Sequence, residues 1–288
     1  MAPHQLRREG DLMQVRNVWI VMMLTAASVC TSAQWLNYPA PGTPRTKDGK
    51  PILSAPAPRR GGKPDLSGVW QVESSSRKEL EPYLLPGGEN GLGESDASKY
   101  FINFFSDFGF GKEPFQPAAA ALFHERMQSG RKPPTLCPPP NMPVEDIVPG
   151  PFKIVSTPGL VMMLYESDYR FRQIYTDGRK HPSDPQPSWL GYSTGKWDGD
   201  WFVIDTVGFN DQGVLDAMGH FHSESMHLTE RLHRRDFGHM DVEITVDDPK
   251  TYTKPVTVKV SHRLLPDTDL IEQFCNEAEK DLAHMPGK

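Results

Sequence analysis

Residues 225–248 read SMHLTERLHRRDFGHMDVEITVDD. In the first half, Met226, Leu228, Glu230 and Leu232 share one parity, and Ser225, His227, Thr229, Arg231 and His233 share the other. Period-two alternation marks a half-buried β-strand, because successive side chains point to opposite faces. The apolar parity is the inner face, so Glu230 is expected to point inward. A lone carboxylate is costly there. It needs an Arg partner or a hydrogen-bond network. The structural reading of Glu230 is a buried ion pair, and the functional reading is a ligand-binding or acid–base carboxylate.

The same pattern extends outward from this stretch. FKIVSTPGLVMMLYES (152–167) reads as two strands around a type II turn at Pro158-Gly159. YRFRQIYTDGRKH (169–181) reads as a strand ending in an Asp177-Gly178 hairpin signal, and LGYSTGKWDGDWFVIDTVGFN (190–210) as two strands across Asp198-Gly199. VTVKVSHRLL (256–265), LIEQFCNE (270–277) and an early GVWQV (68–72) complete about ten strands at the spacing of an all-β sheet system. No helix of crossover length intervenes, which excludes parallel βαβ units. A long meander closes on itself to remove its edges. The expected fold is therefore mainly β: an antiparallel up-and-down β-barrel with an irregular, partly helical insertion over 74–150. Within the insertion, PAAAALFHERMQSG (117–130) is the one convincing helix, with Pro117 in its first turn and Gly130 ending it. YFINFFSDFGFG (100–111) reads as a lid or a strand.

Length and composition bound the rest. The chain has 288 residues, 37 % of them hydrophobic, and a formal charge of −6. It carries no long basic run, so nucleic acid is not an expected partner. MQVRNVWIVMMLTAASVCTSAQ, from Met13, has Arg16, an apolar run and small residues before Gln34. That is the pattern of a signal peptide over 1–33, implying a periplasmic or secreted protein with no stable membrane span after cleavage; the alternative is a single N-terminal membrane anchor. A Pro-rich extended arm follows over 34–64, then a single barrel domain over 65–288. Removal of the signal leaves Cys137 and Cys275, which read as one disulfide or as two buried thiols.

DLSGVW (65–70) is similar to the Gly-x-Trp entry strand of lipocalins and related calycin barrels, here Gly68 and Trp70. The length of the chain and its 74–150 insertion depart from that pattern. TDGRKHP, GYSTGKWDGD, LTER and CNE, together with VIDTVGFND and DDPKTYTKP, resemble a family of uncharacterised exported bacterial proteins. That resemblance implies export and supplies no activity.

Several polar groups are candidates for chemistry. A lumen holding Arg172 (or Arg170), Tyr192, Glu230 and Glu272 would be a polar-lined ligand pocket. Trp197, beside the Asp198-Gly199 turn, reads as rim stacking or an aromatic ligand contact. GHFHSESMHLTER (219–231) places His220 and His222 in a loop expected to be polar, mobile and of little weight in stability. They could act as general acid and base with Glu230 and His181, or chelate a divalent transition metal with Asp216, Glu224, His227 or His181 as a further ligand. His181, before Pro182, projects from a rigid extended loop. No cofactor is otherwise expected. Nucleophile-elbow, P-loop, H-E-x-x-H and Rossmann fingerprints are absent from the sequence.

Three functions remain open at this level. The first is a barrel binding a small amphipathic or hydrophobic molecule. The second is a lyase, isomerase or hydrolase on the same scaffold. The third is an envelope interaction protein whose arm and insertion wrap a partner.

Overall fold

The computed structural model describes residues 38–83, 98–109, 111–128, 139, 141–167 and 170–271. The segment over 1–33 read as a signal peptide, Cys137, Cys275 and Glu272 lie outside the described residues, as does most of the strand expected over 270–277.

Nine strands close into a barrel. A short hairpin precedes them, β1 (Arg59–Arg60) and β2 (Lys63–Pro64). The barrel strands are β3 (Gly68–Val72), β4 (Phe152–Thr157), β5 (Leu160–Tyr165), β6 (Phe171–Tyr175), β7 (Tyr192–Asp198), β8 (Trp201–Val207), β9 (His227–Arg234), β10 (His239–Asp247) and β11 (Val256–Leu264). Each pairs with its chain neighbour, and β11 returns to β3 through Leu264↔Trp70 to close the ring. Turn chemistry sets the hairpins: Gly159 and Gly199 both have positive φ, which costs glycine little.

The barrel is mixed, not wholly antiparallel. β6 and β7 run parallel, paired only at Ile174↔Ser193 and Tyr175↔Thr194. The Asp177-Gly178 signal does start a turn, but Pro182, Pro185 and Pro187 follow, and proline cannot sustain a returning ladder. The segment instead travels along the outside of the wall. Thr176 N–H donates to the Gly159 carbonyl at one end, and Ser188 N–H to the Gly208 carbonyl at the other.

The alternation read in 225–234 holds. Leu228, Glu230 and Leu232 are buried inward, and His227 and Thr229 face out. The interior is filled by side chains, among them Phe152, Ile154, Ile174, Phe202, Ile204 and Ile244. A barrel of roughly eight strands is just wide enough for that. Gly195 shows how tight the wall is, since a Cβ there would lie 2.5 Å from the Phe202 ring. A hollow of about 300 Å³ lies instead on the outer wall, beside Trp201, Asp241, Lys259 and Ser261.

The insertion caps one end of the barrel. It contributes α1 (Arg77–Leu80), α2 (Lys99–Ile102), α3 (Pro117–Gln128) and α4 (Val144–Ile147). The helix expected over 117–130 is α3. The described residues of YFINFFSDFGFG form no strand: they belong to the cap, with Phe104 and Phe105 fully buried after α2. The cap is tied to the β8–β9 and β10–β11 loops. Ala217 N–H donates to the Phe101 carbonyl at 2.8 Å, Gln116 N–H to Thr251 at 2.8 Å and Thr253 N–H to Pro114 at 2.7 Å. At the other end the Pro-rich arm is held by Gly238 N–H donating to Leu53 at 2.8 Å and Phe237 N–H to Ala55 at 2.7 Å. No helix among the described residues is long and apolar enough to cross a membrane.

Candidate functional site

Two buried polar clusters break the apolar interior. The first lies inside the barrel wall. Alternation on β6 turns Arg172 inward with Ile174, and β7, β8 and β9 present Ser193, Thr206 and Glu230 on the same side. Arg172 Nη1 donates to Glu230 Oε1 at 2.8 Å, and Nη2 to Oε2, forming a bidentate fork. Its Nε donates to Ser193 Oγ at 3.0 Å and its Nη2 to Thr206 Oγ1 at 2.8 Å. Burial disfavours both charges, but each ion outweighs it for the other. Arg172 is held above the ordinary guanidinium range, and Glu230 below the ordinary carboxylate range.

Asp146 of α4 completes this cluster, with its Oδ2 4.0 Å from Arg172 Nη1. Neither of its carboxyl oxygens meets a protein donor. Burial first, and then the neighbouring Glu230, push Asp146 well above the usual carboxylate range. His262 Nε2–H donates to the Asp146 carbonyl at 2.8 Å, while its Nδ1 has no partner. Burial pushes His262 down to about 4.

The second cluster lies in the cap. His220 and His222 are 0 % and 2 % exposed, which corrects the expectation of a mobile, exposed loop. The loop is covered because the insertion folds over it. Asp216 and His220 stand either side of a turn in which Leu215 N–H donates to the His220 carbonyl. His220 Nδ1–H donates to Asp216 Oδ2 at 2.5 Å. Asp216 is itself held by the N–H groups of Phe104 at 2.6 Å and His220 at 3.2 Å. The carboxylate thus fixes the ring's orientation and tautomer. His220 Nε2 has no hydrogen-bond partner, and Glu113 Oε1 is 3.8 Å away. Phe123 stacks on the imidazole at 4.6 Å between centroids, Phe105 meets it edge-on at 4.9 Å, and Phe115 lies at 5.8 Å.

His222 has different neighbours. Its Nδ1–H donates to the Ser223 carbonyl at 3.2 Å, and its Nε2 is buried without a partner. Gly213 leaves room for that ring, since a Cβ there would come within 2.4 Å of Nε2. Burial pushes the His222 imidazole down. Glu224 and His227 are exposed, and His227 Nε2 bonds Asp205 on the outer wall. Among the described residues no group of three or more His, Cys, Asp or Glu is arranged to hold a metal.

The other expected pocket residues do not converge. Tyr192 is on the outer wall, stacked on Tyr175 at 5.2 Å, with Arg179 over the Tyr175 ring at 3.9 Å. His181 is also outside, donating from Nε2 to the Asp205 carbonyl at 3.0 Å. Trp197, partly buried beside the β7–β8 turn, packs on Phe202 at 5.1 Å against the edge of the core. Arg170 leaves the lumen to bond Glu145 at 3.0 Å. Of the expected lumen pocket, the structure therefore brings together Arg172 and Glu230 and adds Asp146 and His262. The sequence reading missed those two, along with Glu113. Only His262 had a usable signal, its parity within VTVKVSHRLL. Comparison with family models, with curated proteins and with solved structures gives no match for this chain.

Proposed function

We propose that the protein binds a small amphipathic molecule, and that the site lies in the cap and not in the lumen. The observation that carries this reading is His220 Nε2, a buried acceptor with no partner, set among Phe105, Phe115 and Phe123. A buried polar atom left unsatisfied is costly unless it has a use. Few, well-placed polar groups in an aromatic lining are what a small-molecule site needs. The ligand class that fits is an aromatic or apolar body with one hydrogen-bond donor, such as a phenol. Access requires α3 to shift, and of that helix only Ala119 and Phe123 are buried.

Titration with 4-nitrophenol, followed by its absorbance, tests this. Saturable one-site binding is expected, lost in His220→Gln. Absence of saturation in the parent protein, with no organic molecule retained by native mass spectrometry, would refute it.

A second reading is favoured by the carboxylate behind His220. An Asp–His pair with a free Nε2 is equipped to accept a proton, and the nearby Glu113 could return one. In that case the barrel is an acid–base enzyme of the lyase, isomerase or hydrolase type, with no metal required.

We further propose export to the periplasm, with cleavage after about residue 33 and a Cys137–Cys275 disulfide. The support is the Met13–Gln34 pattern and the pair of cysteines that cleavage would leave. N-terminal sequencing and non-reducing peptide mapping of periplasmic material should find a new N-terminus and one bridge. Two free thiols on an uncleaved chain would count against both.

A further inference from the structure

The Arg172 cluster contains a charge mismatch. One guanidinium faces two carboxyl groups, Glu230 at 2.8 Å from Nη1 and Asp146 at 4.0 Å from the same nitrogen. All three side chains are about 98–99 % buried. Among the described residues, the remaining neighbours bring no second positive charge to Asp146. On α4, Glu145 is itself acidic and is engaged by Arg170 at 3.0 Å. On β5, Tyr165 contributes a phenol. On β11, His262 is neutral, with Nε2 committed to the Asp146 backbone. Four of the five guanidinium N–H groups are taken by Glu230, Ser193 and Thr206, and the remaining one, on Nη1, is too far from Asp146 Oδ2, at 4.0 Å, for a hydrogen bond.

An ionised Asp146 would thus be a second buried anion with no donor and no counter-ion of its own. Two buried carboxyl groups that share one guanidinium nitrogen cannot both ionise in such a place. We propose that the barrel interior is a proton-binding site: Asp146 carries a proton at neutral pH and donates it to the Glu230 carboxylate. The proton has a structural task. Asp146 belongs to α4, the segment where the cap meets the barrel wall. While protonated, its side chain can stay among apolar groups. Once ionised it must seek water, and α4 leaves with it. The capped end therefore loosens when the proton is released.

The sign follows from where the proton is held more tightly. Asp146 binds it more tightly folded than unfolded. The contribution to stability is complete below the ordinary carboxylate range and is lost as pH rises through the higher folded value. His262 opposes this on the acid side. Its folded value of about 4 lies below the ordinary one, so its contribution is present at neutral pH and lost as pH falls.

Infrared spectroscopy tests the proposal through the carbonyl stretch of a protonated carboxylic acid. The parent protein at neutral pH should show this band, shifted in D₂O and lost as pH is raised. Asp146→Asn should lack it, because the amide donates to Glu230 without a titrating proton. Glu230→Gln should lack it too, because Asp146 then ionises beside Arg172. Hydrogen exchange at the Glu145–Val148 amides should accelerate at high pH in the parent, relative to Asp146→Asn. A parent protein without the band at neutral pH overturns the proposal, and so does a band that persists in both variants.

Discussion

Arg172→Met should destabilise the barrel by about 3–5 kcal/mol, read as a lower urea midpoint at unchanged slope. Methionine keeps much of the stem volume, so the loss is electrostatic. Glu230 would remain 1 % exposed with no cation, while Ser193 and Thr206 keep each other at 3.0 Å. Glu230→Leu should cost less, because the stranded guanidinium has Asp146 4.0 Å away as a replacement counter-ion. Glu230→Gln should cost least, since its amide oxygen still accepts one bond. If Arg172→Met unfolds at the parent's midpoint, the fork contributes nothing and the charge count in the barrel is wrong.

The double variant His220→Ala/His222→Ala should also lose about 3–5 kcal/mol, from two buried cavities and an Asp216 carboxylate that loses its imidazole donor and keeps only backbone N–H groups. This reverses what an exposed loop would give. The loss should be felt in the cap first. Near-ultraviolet circular dichroism should show it, because Phe105, Phe115 and Tyr252 pack against or near the His220 ring. A melting temperature equal to the parent's would mean that neither imidazole packs as described.

Much of the barrel was legible because a strand's period is local. Met226, Leu228, Glu230 and Leu232 disclose their face within seven residues, and Asp198-Gly199 discloses its turn within two. The parallel seam between β6 and β7 was not legible as a topology, although its cause, the three prolines after Gly178, was in plain view. The cap was illegible for a different reason. Burial of His220 depends on Phe104 N–H reaching Asp216, a contact 112 residues apart in sequence. No periodicity announces it. The same holds for Asp146, which sits in an irregular Pro-bounded stretch. It becomes a neighbour of Glu230 only when the barrel closes.

Closure itself sets an order of events. β3 pairs with β4 only across the whole insertion, and with β11 only across nearly the full length of the domain. Strands β7 to β11 pair through successive antiparallel neighbours, as do β4 to β6. Loop-closure entropy favours the near partners and delays the distant ones. The first stave of the barrel to be synthesised is thus the last to dock. Until then Trp70, fully buried in the finished fold, is a solvent-exposed hydrophobic side chain beside two open sheet edges. A chain built this way is most prone to aggregate just before completion, and its safety depends on how quickly β11 becomes available to receive β3.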